Sequence, residues 1–275
     1  MTGFLMVQWV SLRMPRRVVA QSRLRINSME ALSMHAKRFS PRRFIYAVGG
    51  TLALFLLLAG CGGNTSANAP SAQTLIKNAQ AAIKKVTAYH FDLKSQNIGT
   101  GGQLPIESAD GDIVVPDKLQ ANANVLFSNS TVQAEIIAIG NDQYINVLGG
   151  WQKTTGLLNP RSLSDPQTGV AAILGQIQNP SAPTASSSNG TPCWSINGKL
   201  NASLLSGITG GGAPAGTVDD VTVCIGQSDN LPYVIVIKGI AAQGDTAQTT
   251  RTFTLSKFNE HITINAPTVA STSTS

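Results

Sequence analysis

The chain contains few of the residues from which enzymes build active sites. It has three histidines in 275 residues, and Asp, Glu, Lys and Arg together make up 12% of it. The serine-hydrolase pattern G-x-S-x-G, the Walker phosphate loop and the zinc pattern H-E-x-x-H are all absent. His90 and His261 lie far apart in sequence and far from both Cys193 and Cys224. We therefore predict no catalytic residues, no metal site and no enzymatic activity.

The formal net charge of +6 does not indicate a nucleic-acid partner. Residues 1–60 carry nine of the 20 Lys and Arg and one of the 14 acidic residues, which leaves 11 bases and 13 acids from Cys61 onward. That part of the chain is therefore slightly acidic. Because it has no basic stripe with interleaved aromatic residues, it lacks the electrostatic footprint of DNA or RNA binding.

An apolar segment without a charge precedes the first cysteine. Two arginines come directly before Phe44–Ala59, which is sixteen residues long, whereas a helix that spans a bilayer needs about 20. A basic flank, an apolar segment and then small residues is the order of a secretory signal. The sequence "LAGC" resembles the bacterial lipobox, in which a peptidase cuts before a lipidated cysteine. We predict cleavage between Gly60 and Cys61 and a diacylglyceryl group on Cys61; a single-pass anchor is the alternative.

The remaining boundaries follow from composition. Residues 1–33 precede a signal peptide of ordinary proportions at 34–60, so we expect them to be an over-extended start or a disordered basic leader. Residues 61–70 form a Gly-, Ser- and Asn-rich linker that would span roughly 17 Å. The folded domain is predicted at 71–265, and 266–275 is predicted to be a disordered tail. N-terminal sequencing of the precursor tests the start, and peptides from "MTGFLMVQWV" would contradict it.

Two cysteines remain after Cys61, and an even pair in an oxidising compartment favours a disulfide. Cys193 and Cys224 both lie in segments with strand character. An antiparallel register with Leu200 opposite Thr217 would also place the two cysteines opposite each other. We predict a Cys193–Cys224 bridge; two buried thiols are the alternative.

The hydrophobic pattern predicts an α+β fold. Ser71 is a candidate N-cap for a helix whose apolar residues recur at helical spacing as far as Val86, and further helices are predicted at 165–177 and near 201–208. From Ala88 the period changes to two, and short strands alternate with turns such as "GND" and "GG". We expect nine to eleven antiparallel strands with three helices inserted, and a surface loop at 179–192.

The segments "LPIESADGDI", "DPQTGVAAIL" and "INGKLNASLL" occur in this order, within a stretch from Leu75 to about Pro267. In these segments the chain resembles the mycobacterial LppX/LprG lipoprotein family. The resemblance implies a LolA/LolB-like fold, which is a strongly curved antiparallel half-barrel whose concave face is covered by helices around an apolar cavity. Members of the family carry acylated lipids or lipoglycans from the cytoplasmic membrane towards the outer envelope.

The resemblance also implies a cellular setting and partners. We expect a protein anchored by lipid on the extracytoplasmic face of the cell membrane, with an acylated lipid or glycolipid as its ligand and a membrane transporter as a further partner. The alternative is a surface lipoprotein that transports nothing and uses the same fold for protein interaction or to modulate a signalling partner.

Alternation along the strands and the apolar stripes of the helices select candidates for the cavity wall. The alternative is a sealed core built from the same residues. The candidates are Ile76, Ile83, Val132, Ile136, Tyr144, Val170, Leu174, Tyr233, Ile235, Ile237, Phe253 and Leu255.

Overall fold

The computed structural model describes residues 69–99, 105–127, 130–156, 160–165, 169–209 and 211–269. The predictions for residues 1–68, which include the leader, the signal peptide, Cys61 and most of the linker, lie outside these ranges. Residues 270–275 of the predicted tail also lie outside them.

Eleven strands of the described chain form one antiparallel sheet in the order β6-β5-β4-β3-β2-β1-β11-β10-β9-β8-β7. Strands that follow each other in sequence are neighbours within β1–β6 and within β7–β11, and the pairing of β1 with β11 joins these two halves. The strands are β1 (Ala88–Gln96), β2 (Ile106–Val114), β3 (Lys118–Phe127), β4 (Ser130–Ile139), β5 (Asp142–Val147), β6 (Gly150–Thr154), β7 (Thr184–Ser188), β8 (Thr191–Asn201), β9 (Val218–Gly226), β10 (Pro232–Lys238) and β11 (Thr250–Ser256).

The helices are short, apart from the first. Helix α1 spans Ala72–Ile83, α2 spans Arg161–Ser164, α3 spans Val170–Gly175, and a 3₁₀ turn at Ala202–Leu205 continues into α4 at Ser206–Thr209. The three predicted helical regions are therefore confirmed in position. They are shorter than expected, and α2 was not anticipated.

Helix α1 follows directly from its sequence. The Ser71 Oγ accepts a hydrogen bond from the Thr74 N–H at 3.2 Å, a cap that stabilises a helix by about 1 kcal/mol. Leu75 and Ala79 lie on its buried stripe. The Gln80 Nε2 donates to the Ala171 carbonyl oxygen at 2.9 Å, so α1 is held against α3.

The two faces of the sheet differ in polarity because side chains alternate along each strand. The apolar face carries Phe91, Ile136 and Ile235, all of which are buried. The polar face carries a row of five polar residues, one on each of five neighbouring strands, and each residue lies directly opposite the next. The row is Asp92, Asp110, Asn122, Glu135 and Asn146.

The segment predicted as a surface loop at 179–192 contains β7, so that prediction is wrong for Thr184–Ser188. Strand β7 is an edge strand that pairs with β8 alone. Its side chains are exposed except for Ser188. An edge strand with both faces open to solvent has no apolar alternation, which is the signal that the prediction required.

Cys193 and Cys224 form the predicted disulfide, with Cα atoms 5.5 Å apart. The predicted register is wrong by two residues, since Leu200 lies opposite Asp219 and Cys193 lies opposite Gly226. The bridge therefore joins a diagonal pair on β8 and β9. Both cysteines are buried.

Candidate functional site

Residues from the apolar face of the sheet and from the short helices line an apolar pocket, which we call the cavity. About 80 Å³ of it is wide enough for the centre of a water molecule, and about 900 Å³ in and around it, open solvent included, is free of protein atoms. Among the described residues that line it none is charged, and the Tyr89 hydroxyl is the one side-chain polar group. The lining residues are Tyr89, Phe91, Leu93, Ile106, Ala109, Ile113, Leu119, Ala121, Ala123, Ile136, Leu163, Val170, Ile173, Leu205, Ile208, Ile235, Ile237, Phe253 and Leu255.

Small residues in the middle of the sheet create part of this space. Ala109 lies opposite Ala123, and Gly111 lies opposite Ala121 on the neighbouring strand. A Cβ atom added at Gly111 would come within 2.7 Å of the Ala121 Cβ, so β2 and β3 approach too closely here for a larger residue. Four adjacent positions thus carry a methyl group or less, and the side chains of the helices do not fill the remaining volume.

Polar contacts outside the cavity hold α2 over it. The Arg161 Nη2 lies 3.0 Å from the Asp117 Oδ2, and the Ser164 hydroxyl donates to the Pro116 carbonyl oxygen, so both ends of α2 are tied to the β2–β3 turn. The Ser162 hydroxyl donates to the Gly207 carbonyl oxygen at 2.9 Å, which links α2 to α4. These bonds fix the segment that brings Leu163 to the cavity wall.

The structure brings six of the twelve candidate residues together at the cavity wall. Those six come from β4, β10, β11 and α3, and they are Ile136, Val170, Ile235, Ile237, Phe253 and Leu255.

Three further candidates come from the helices and lie elsewhere. Ile76 and Leu174 are buried, and they pack in the hydrophobic core without lining the cavity. Ile83 is also buried but lines an adjoining pocket.

The last three candidates lie on strands but away from the cavity. Tyr144 lies opposite Ile137 on the polar face, one residue out of phase with the expected side. Val132 is on the apolar face opposite Val125, beyond the lining residues. Tyr233 lies at a register irregularity between Pro232 and Val234 in β10.

Tyr233 has its own polar and aromatic partners. Its hydroxyl donates to the Asp229 Oδ2 at 2.7 Å, and its ring meets Phe258 edge-on with centroids 5.4 Å apart. Burial, reinforced by Asp229, raises the pKa of Tyr233 to about 12. These contacts hold the ring at the end of the strand.

Several wall residues were absent from the candidates. Phe91 and Leu93 follow the same alternation as the candidates and could have been found from it. Ala121 and Ala123 could not, because an alanine alternating on a strand does not distinguish the wall of a cavity from an ordinary packed position. Leu205 and Ile208 come from a region whose short 3₁₀ turn gives no clear periodicity.

A second pocket adjoins the cavity at the end of α1, and we call it the polar pocket. About 330 Å³ of it admits the centre of a water molecule. It shares Tyr89, Leu163 and Val170 with the apolar cavity, and it also contains charged side chains. Its lining residues are Ile83, Lys84, Val86, Tyr89, Val115, Pro116, Arg161, Leu163, Ser164, Asp165, Val170 and Ala171.

A buried cluster of charges lies beyond another part of the cavity wall. Arg251 is opposite Ile237 on the sheet and forms a two-point ion pair with Asp245, at 2.6 and 3.0 Å. Asp219 is 1% exposed; its Oδ1 accepts a hydrogen bond from the Ile240 N–H at 2.8 Å, and its Oδ2 has no partner in the described chain. Burial raises the pKa of Asp219 above its ordinary value of 3.8.

We expect the Asp219→Asn variant to gain stability relative to the wild type as pH rises. The pKa of Asp219 is higher in the folded state than in the unfolded state. The protonated carboxyl therefore contributes stability at pH values below its pKa in the unfolded state, and this contribution is lost as the pH rises through its pKa in the folded state. Asparagine keeps an oxygen for the Ile240 N–H and does not ionise. Urea unfolding at pH 4 and pH 7 measures the difference between the two proteins, and an equal difference at both pH values would contradict the assignment.

The histidine on β1 has a partner that the sequence did not indicate. The His90 Nδ1 lies 2.8 Å from the Asp112 Oδ1, because the register places these residues opposite each other on the polar face. No hydroxyl or thiol in the described chain bonds to this imidazole. The absence of enzymatic activity stays a prediction.

The described residues lack two features, a membrane-spanning helix and a cluster of metal ligands. No helix there has both the length and the apolar character needed to cross a bilayer. No group of three or more His, Cys, Asp or Glu side chains there is arranged to hold a metal ion.

The fold and the cavity together define a class: proteins with one large antiparallel sheet and few helices, whose interior contains an apolar cavity. The family model described as "LppX_LprAFG lipoprotein" matches residues 71–264. The chain belongs to this lipoprotein family.

Solved structures and named relatives agree with that membership. The crystal structures of LprF from Mycobacterium bovis and LppX from Mycobacterium tuberculosis match with TM-scores of 0.59 and 0.54, at 23% and 21% identity. They cover 71% and 70% of this chain and 96% and 98% of theirs. At these identities the likeness shows the fold alone.

Two relatives carry names that state a ligand. LprF of Mycobacterium bovis, named as a candidate diacylated glycolipid transporter, is 26% identical over 166 residues, 54% of this chain. The match covers 62% of the length of LprF. LprG of Mycobacterium leprae, named as a lipoarabinomannan carrier protein, is 24% identical over 240 residues, which are 83% of this chain and 97% of LprG.

Proposed function

We propose that this protein is a membrane-anchored lipoprotein that holds the acyl chains of a lipid or glycolipid in its apolar cavity and carries them across the cell envelope. The observation that carries the proposal is the cavity wall, which contains no charged residue and one hydroxyl among nineteen side chains. A wall of this composition suits hydrocarbon and does not suit a polar metabolite.

The proposed architecture is a curved half-barrel of the LolA/LolB type whose concave face is covered by helices. In support, the cavity is lined from both sides: Phe91 and Ile235 come from strands, whereas Leu163, Ile173 and Leu205 come from α2, α3 and the 3₁₀ turn. In this arrangement the helices form a removable cover over the sheet.

A lipid carrier must replace membrane hydrocarbon with protein hydrocarbon. Exposure of acyl chains to water costs about 0.8 kcal/mol per CH₂, or about 25 kcal/mol for two chains of sixteen carbons. The narrow cavity accepts such chains only if the helices move away from the sheet. Apart from the buried Leu163, the contacts described above for α2 are hydrogen bonds and one exposed ion pair, which allow this movement more readily than an interdigitated core would.

The proposed anchor is the diacylglyceryl group on Cys61, on the extracytoplasmic face of the membrane. Two acyl chains anchor a protein durably, whereas a single chain holds it weakly. The linker at 61–70 would keep the cavity close to the bilayer from which the lipid is taken, and a membrane transporter is a further proposed partner.

The names of the relatives support a lipid ligand for this chain. LprF and LprG are named for a glycolipid and a lipoglycan. We extend to this chain only the shared chemistry, which is a polar group attached to acyl chains.

The second candidate function is that of a surface lipoprotein that uses the fold to contact envelope proteins or to modulate a signalling partner. The polar row of Asp92, Asp110, Asn122, Glu135 and Asn146 favours it, because it offers a continuous surface of hydrogen-bonding groups outside the cavity. A module of this kind needs no lipid in its interior.

A transfer assay separates the two functions. The full lipoprotein in detergent-free acceptor vesicles is mixed with donor vesicles that contain a self-quenched fluorescent diacyl lipid. We expect the rate of dequenching to rise in proportion to protein concentration. A rate equal to that of protein-free vesicles would exclude the carrier function and leave the interaction module.

A further inference from the structure

The polar pocket adjoins the apolar cavity, and its chemistry differs. Tyr89, Leu163 and Val170 line both spaces. Lys84, Arg161, Ser164 and Asp165 line only the polar pocket. A molecule that occupied both spaces would therefore have a hydrocarbon part and a polar part, joined near Tyr89.

Tyr89 lies at this junction, and its hydroxyl has no hydrogen-bond partner among the described residues. The residue is 3% exposed, and burial raises its pKa. Its ring packs near Phe258, with centroids 6.4 Å apart, and no hydrogen bond to its hydroxyl occurs within the described parts of the chain. The Tyr89 hydroxyl is not among the fully buried side-chain atoms that lack a partner, so it keeps accessible surface and can donate to a ligand acceptor at this place.

The charged groups of the polar pocket differ in their protein partners. Arg161 is paired with Asp117 at 3.0 Å. Lys84 is exposed and takes part in none of the ion pairs found among the described residues. Lys84 also caps the C-terminus of α1, where a cation interacts favourably with the helix dipole. An ammonium group with no carboxylate partner at the edge of a cavity is suited to bind an anion.

We propose that the polar pocket binds an anionic head group through Lys84, and that the Tyr89 hydroxyl donates to an ester carbonyl where the acyl chains enter the cavity. The ligand class is thus an ester-linked diacyl lipid with a negatively charged head group. This inference rests on the proposed function, because it assumes that acyl chains occupy the cavity.

Two variants and one control test the proposal. Lys84→Gln removes the charge, and Tyr89→Phe removes only the hydroxyl. Lys77→Gln is the matched control, since Lys77 is exposed on the same helix and does not line the pocket. The full lipoprotein, stripped of lipid in detergent, is titrated with dioleoylphosphatidylglycerol and with uncharged dioleoylglycerol in competition with a fluorescent diacyl lipid.

We expect the wild type and Lys77→Gln to prefer the anionic lipid about five-fold, and Lys84→Gln to lose this preference while it binds dioleoylglycerol unchanged. Tyr89→Phe should weaken the binding of both lipids by the same factor, about three- to ten-fold, because both lipids contain ester carbonyls. A Lys84→Gln variant that behaves like Lys77→Gln would overturn the head-group site, and unchanged binding by Tyr89→Phe would overturn the carbonyl contact. Tight binding of both lipids without preference would also overturn the head-group site but leave the carrier function standing. Binding of neither lipid would refute both.

Discussion

Replacing Ala121 and Ala123 together with leucine is expected to reduce lipid binding at least ten-fold while the protein stays folded. Both alanines lie on the cavity wall, opposite Gly111 and Ala109. Six additional carbon atoms at this point would occupy the space proposed for an acyl chain. Binding of the fluorescent diacyl lipid measures the loss.

The stability of the same variant tests whether the space is open. In a sealed core each added group of methylenes costs typically 1 to 3 kcal/mol, whereas in a cavity whose helices move away from the sheet the new side chains displace this cover and gain apolar contacts with little strain. We therefore expect a loss of less than about 1 kcal/mol in the free energy of unfolding.

The control substitutes leucine at Gln120 and Asn122, which are exposed on the polar face of the same strand. This double variant should bind lipid like the wild type. A folded Ala121→Leu, Ala123→Leu protein with unchanged lipid binding would show that the cavity is not the site. A loss of several kcal/mol would show instead that the region is a packed core.

Removal of the disulfide should cost about 3.5 kcal/mol of stability. Cys193 and Cys224 are separated by 31 residues, and the loop-entropy relation gives that value for a closed loop of this size. The double Cys193→Ala, Cys224→Ala variant is the test, because it leaves no unpaired thiol at the buried site. Urea unfolding of both proteins at neutral pH gives the difference.

The disulfide and the cavity are expected to be independent. The bridge joins β8 and β9, and neither cysteine lines the cavity. If the variant folds, its affinity for the fluorescent lipid should therefore equal that of the wild type. A stability change under 1 kcal/mol would contradict the loop-entropy account, and a folded variant with much weaker lipid binding would contradict the independence.

Alternation predicted the faces of the sheet better than its pairing. A shift of two residues between β8 and β9 leaves every side chain on its face, because the side-chain period of a strand is two. The sequence pattern therefore cannot separate the register with Leu200 opposite Thr217 from the observed one with Asp219. The disulfide was predicted correctly nonetheless, since the Cα atoms of this diagonal pair are 5.5 Å apart, within the range that a disulfide spans.

An error of one residue in the alternation assigns a side chain to the wrong face of the sheet, as happened for Tyr144. Tyr144 and Ile145 are adjacent apolar residues, and either could have been assigned to the apolar face. The pairing of Ile145 with Ile136 decides it, and Tyr144 then lies on the polar face. This choice depends on the neighbouring strand, so β5 taken alone does not contain the information.

The cavity itself could be predicted only through the resemblance to the family. Ile173 and Leu174 are both apolar residues on the buried side of α3, yet Leu174 packs in the core and Ile173 lines the cavity. Whether an apolar side chain faces packed atoms or free space depends on the volumes of the residues opposite it. Those residues, among them Ala121 and Ala123, are distant in sequence from the helices.

The central claim is that this protein carries an acylated lipid in its apolar cavity, and lipid analysis of the native protein tests it most directly. The full lipoprotein is purified from the membranes of its own host in mild detergent, and non-covalently bound lipid is extracted and quantified by mass spectrometry. The account predicts about one acylated lipid per protein, at least ten-fold more than in the folded Ala121→Leu, Ala123→Leu variant. Lipid at the level of that variant, from a stable and folded wild-type protein, would contradict it.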